Sequence, residues 1–140
     1  MSIERVFADT NLFLRYLTND IPDQADRVEE ILQRAADGKI ILVTTTLVIA
    51  EIVWTLKSFY GLSREQIRDR ILAILNTPGL EVEESDLLIE AATNYAEKNV
   101  DFIDAYNVAW MVRQQIGIAY TFDHKHFSQF ANITVQVPGI

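Results

Sequence analysis

The chain has 140 residues, 49% of them hydrophobic, with only 5 glycines and 3 prolines. That is enough for a real core and argues against disorder. With no cysteine, a disulfide framework and a thiolate metal site are excluded, which fits a reducing, cytoplasmic setting. The net charge of −8, from 20 acidic against 12 basic side chains, is not the basic footprint of an ordinary nucleic-acid binder. Bound divalent cations reverse the field of an acidic site, so charge alone does not exclude one.

Residues 1–5 lack the charged and apolar blocks of a signal peptide. The apolar stretch 40–54 is interrupted by three threonines and Glu51, so no membrane span is expected. The run Val6-Phe7-Ala8 has the length of a buried strand and stops at Asp9. Leu12, Phe13, Tyr16 and Leu17 then repeat at helical spacing. Asp9 therefore stands where a strand ends and a helix begins, the place where open α/β sheets bind ligands. Asp is also a favoured helix N-cap, and that reading has equal standing.

Pro22 suits the first position of a second helix, with Val28, Ile31, Leu32 and Ala35 as its stripe and Gly38 as its C-cap. Residues 39–43 form a continuous apolar run, the pattern of a strand buried on both faces of a parallel sheet. The helix expected over 47–60 is apolar nearly all round and reads as buried. Glu51 lies inside it. A buried carboxylate needs a basic partner or a site that holds cations, and the sequence leaves both open.

Ser63 and Gln66 make a capping box for a helix through residue 75. Pro78-Gly79 is a turn, and 80–82 a short strand. Ser85 opens a helix to about residue 98. Asp101 reads as the N-cap of the next helix, expected to run to residue 115, and Asp104 follows at its third position. Asp104 shares the side of Ala105, Val108, Ala109 and Val112, an inward place for an acid and so a candidate ligand. Residues 118–122 form a fourth strand, which Asp123 ends as Asp9 ends the first. His124 and His126 follow on what reads as a polar loop, where surface histidines are commoner than metal ligands. Residues 133–137 make a last strand.

This alternation of strands and helices, without repeat or linker, implies one α/β domain over residues 1–140 with a parallel sheet and helices on both faces. The chemistry on offer is a set of carboxylates, Asp9, Glu51, Asp104 and Asp123. Hard cations such as Mg²⁺ or Mn²⁺ take oxygen ligands, and cations held by carboxylates activate water against phosphodiesters. A receiver-like signalling module also gathers acids around Mg²⁺. It wants an acid pair after the first strand and an Asp after the third, and neither is present.

Phe-Ala-Asp9-Thr-Asn11, Glu51, Asp104-Ala105 and Thr121-Phe122-Asp123, in this order and spacing, resemble the PIN domain, most closely the VapC-type toxin ribonucleases. The resemblance spans essentially the whole chain. It implies a three-layer α/β/α sandwich on a central five-stranded parallel sheet. It implies Mg²⁺- or Mn²⁺-dependent cleavage of RNA, an antitoxin partner and a homodimer. It carries catalytic and metal-ligand roles onto Asp9, Glu51, Asp104 and Asp123. Asn11 and Thr121 are implied as hydrogen-bonding supports, with Asp101 as an extra member of the set. A catalytically silent PIN fold used for protein binding is the competing reading, although all four candidate ligands are present.

Overall fold

The computed structural model describes residues 2–122 and 124–139. The chain divides into two compact units, 1–85 and 86–140.

The first unit runs β1 (Arg5–Phe7), α1 (Thr10–Thr18), α2 (Pro22–Ala36), β2 (Ile41–Thr44), α3 (Thr46–Ser58), α4 (Arg64–Leu75) and β3 (Leu80–Val82). Its strands form a parallel sheet in the order β1-β2-β3, with Phe7 opposite Val43 and Val43 opposite Glu81. Two bonds just past the β1 ladder fix where that strand ends. The Ala8 N–H donates to the Val43 carbonyl at 2.9 Å, and the buried Thr44 hydroxyl donates to the Ala8 carbonyl at 2.8 Å. Asp9, the next residue, is thereby presented at the carboxyl end of the sheet.

The helices start where the sequence places caps. Asp9 caps α1, Thr45 caps α3 and Ser63 caps α4 in a full capping box with Gln66. Helix α1 packs on α2 and α3, and α3 on α4. Phe13, Leu14, Ile49, Ile52, Leu56, Ile67 and Ile71 are buried here.

The second unit runs α5 (Ser85–Glu97), α6 (Phe102–Arg113), β4 (Ile118–Tyr120), α7 (His124–Phe127) and β5 (Thr134–Gln136). Its two strands pair in parallel, with Ala119 opposite Val135. Leu88, Ala91, Tyr95, Val100 and Ala105 are fully or almost fully buried, and the Tyr95 and Phe102 rings meet edge to face at 6.1 Å. Arg113 clamps the start of α5 to the end of α6 through Asp86 at 2.7 Å.

The described strands form a three-stranded and a two-stranded parallel sheet. Two expectations are corrected. Strand β2 is not buried on both faces: Leu42 and Thr44 share one face and are buried, while Ile41 and Val43 share the other and are half-exposed. Helix α3 is not buried all round either. Val48, Ile49, Ile52, Val53 and Leu56 make its inner face, but Leu47 and Trp54 are exposed, Trp54 at 65%. An apolar residue at the surface is common enough that composition does not reveal which side of a helix faces the core.

Candidate metal centre

Asp9 sits at the β1–α1 junction, exposed, with backbone angles of an extended N-cap, and its Oδ1 accepts from the Leu12 N–H at 3.3 Å. The capping reading of Asp9 is therefore satisfied by one oxygen, and the other is left for a second task. Asn11 is exposed on the first turn of α1.

Glu51 is exposed, contrary to the buried carboxylate expected from the apolar run around it. It lies on the outer face of α3 between Leu47 and Trp54, which lie four residues before it and three after. No basic partner holds it among the described residues. Its partner is Thr10, whose hydroxyl donates to Glu51 Oε1. Thr10 is buried at the head of α1, so this bond ties the residue after Asp9 to the acid on α3. Sequence reasoning missed Thr10. Its position immediately after a strand-end Asp is the only signal it carried.

In the second unit Asp104 is half-buried in the first turn of α6, at 21% side-chain exposure. Its inward setting is partly as expected: Ala105, Val108 and Ala109 are buried, but Val112 is exposed. Asp104 Oδ2 meets His126 Nδ1 at 2.8 Å. His126 does not lie on a loop, as the sequence suggested, but on the short helix α7, which packs on α6. Asp101 holds the N-cap position of α6, yet its side chain makes no capping bond. Its Oδ2 is 3.9 Å from His126 Nδ1. Thr121 is half-buried just past β4. Asp123 lies outside the described residues.

Carboxylate oxygens are the ligands that hard divalent cations take. Asp9, Glu51 and Asp104 offer carboxylate oxygens, and among the described residues none of them is in an ion pair with Lys or Arg. Several basic side chains are engaged in ion pairs with other acids. Arg5 pairs with Glu81 at 3.3 Å, Arg15 with Asp20 at 3.4 Å and Arg68 with Asp69 at 3.1 Å. No helix among the described residues is long and apolar enough to cross a membrane.

Short parallel strands leading into helices define an α/β protein. The family model described as PIN domain matches residues 6–133, and the chain belongs to the PIN domain family. Among solved structures it is similar to VapC20 of Mycobacterium tuberculosis, described as a sarcin-ricin loop cleaving toxin. The two are 21% identical over 91% of this chain and 98% of that one, with a TM-score of 0.38. At that score the likeness adds nothing to the family match. No curated protein matches the chain.

Proposed function

We propose that the chain is a metal-dependent endoribonuclease, the toxin of a toxin–antitoxin pair. The observation that carries this reading is the PIN family match across residues 6–133. The placement of Asp9 at a sheet's carboxyl end, with Glu51 tied to the adjoining residue, supports it.

In this reading the chain is one nuclease domain with the five-stranded parallel sheet that the family resemblance implies, and Asp9, Glu51, Asp104 and Asp123 serve as ligands of Mg²⁺ or Mn²⁺. Asn11 and Thr121 support them through hydrogen bonds.

Divalent cations, when bound, supply an activated water and offset the charge of the phosphodiester. The protein's part is positional. Asp9 is fixed by its cap bond to Leu12 and Glu51 by the Thr10 hydroxyl. Ligands held in this way lose little freedom when the cation and RNA arrive. The acidic surface needs the cations to receive a polyanion, so RNA binding is expected to be weak without them.

The family reading also brings an antitoxin and a homodimer. Exposed Leu47 and Trp54, which flank Glu51 on α3, and exposed Phe59 and Tyr16 are apolar side chains open to a protein partner. A cytoplasmic location accords with the lack of cysteine. Incubating the purified chain with mixed RNA and Mn²⁺, with and without chelator, tests the activity. Cleavage that requires the metal supports the reading, and intact RNA under both conditions opposes it.

A further inference from the structure

The first turn of α6 and helix α7 bring together a set of donors that four carboxylates alone would not provide. The ligand atoms of Asp101, Asp104 and His126 all lie within 4.8 Å of one another. His126 Nδ1 is 2.8 Å from Asp104 Oδ2 and 3.9 Å from Asp101 Oδ2. The His126 side chain is largely enclosed, at 19% exposure.

A plain histidine–carboxylate hydrogen bond accounts for the first of these distances. It does not account for Asp101. That residue occupies the N-cap position, where Asp ordinarily spends its side chain on the orphan N–H groups of the helix. Here no capping bond is made, and the carboxylate stands beside the imidazole. Two ligands of one cation at bonds of about 2.1 Å are about 3.0 Å apart when at right angles and about 4.2 Å apart when opposite. The observed 2.8 and 3.9 Å fall near those spacings.

We propose that Asp101, Asp104 and His126 form a mixed nitrogen–oxygen ligand set for one divalent cation, with His126 Nδ1 bound directly to the metal. The proposal rests on the reading of Asp104 as a metal ligand and adds to it the identity of the cation. Mg²⁺ keeps to oxygen ligands and water. Imidazole suits the transition metals, whose affinity for such sites rises along the first row from Mn²⁺. A site containing His126 therefore prefers Mn²⁺ or Co²⁺ to Mg²⁺, and the preference depends on that one side chain. Packing of α7 on α6 delivers the nitrogen, so the short helix has a function beyond closing the fold.

The test uses the full chain with Mn²⁺ alone. Calorimetry gives the affinity, and pulsed electron paramagnetic resonance of the bound Mn²⁺ detects a coupled nitrogen. The native protein should show the nitrogen coupling. His126→Ala should lose it, with Mn²⁺ affinity falling about tenfold or more and Mg²⁺ affinity nearly unchanged. His124→Ala should keep both. Mn²⁺ bound by the native protein without nitrogen coupling overturns the proposal, and so does coupling that is lost in His124→Ala instead. The native spectrum decides the matter even if His126→Ala fails to fold. Oxygen-only binding that Asp104→Asn abolishes would defeat this proposal and leave Asp104 as a ligand. Binding that Asp104→Asn leaves intact would defeat the underlying reading as well.

Discussion

The hydroxyl of Thr10, buried at the head of α1, donates to the carboxylate of Glu51 on the outer face of α3. The bond joins two helices at the end of the sheet where Asp9 emerges. It restricts the rotamers of an exposed glutamate that otherwise has no charged partner among the described residues.

Thr10→Val keeps the shape of the side chain and removes the donor. The fold should persist, while Mn²⁺ affinity falls about tenfold, the usual scale for losing a group that orients a ligand. Thr10→Ser should restore most of the loss. Calorimetric titration of the three proteins checks this, and equal affinities in all three would reduce the contact to packing.

Asp9 has two tasks that different substitutions separate. Asn caps a helix about as well as Asp, so Asp9→Asn should remove cleavage and leave the melting temperature within a degree or two. Asp9→Ala should also cost about 1 kcal/mol of stability through the lost cap. Thermal unfolding in chelator, together with an RNA cleavage assay, distinguishes the two. An Asp9→Asn protein that unfolds readily would make the carboxylate structural.

Much of this arrangement was legible in the sequence, and the misses have physical causes. The strand end at Asp9, the capping box at Ser63–Gln66 and the Asp101–Asp104 helix start all depend on local backbone chemistry, which residue order reveals directly. The exposure of Glu51 was not legible. An apolar run such as 47–56 has no polar stripe to mark its outer face, so Leu47 and Trp54 read as core. The His126–Asp104 contact was hidden because it joins residues 22 apart through a helix of only four residues, too short to leave a periodic pattern.

Asp20 gives a pH-dependent handle on the first unit. The Tyr60 hydroxyl donates to its Oδ2 at 2.7 Å and holds the carboxyl below its ordinary value. Partial desolvation opposes that effect, and Thr18 and Arg15 add to it. A depressed carboxylate contributes stability above its unfolded value of about 4 and loses it as pH falls through the folded value. Tyr60→Phe should therefore be slightly less stable than native at pH 7, with the difference vanishing in acid. Urea midpoints measured from pH 7 to pH 2 show this directly. A gap that stays constant with pH would mean that the tyrosine contributes packing only.

Gly79 is fixed by two constraints. Its φ is +80°, and a Cβ would collide with the Ala35 carbonyl of α2. Its own carbonyl accepts from the Leu42 N–H at 2.9 Å, at the start of the β2–β3 ladder. Gly79→Ala should cost at least about 1 kcal/mol, read as a lower denaturant midpoint with an unchanged slope.

The most direct measurement is cleavage of an RNA pool by the native chain, Asp9→Asn and Asp104→Asn, each with Mn²⁺ and with excess chelator. A carboxylate-held metal nuclease predicts cleavage by the native chain with metal alone, and none by either variant under either condition. Equal cleavage in chelator, or full activity in both variants, would contradict it.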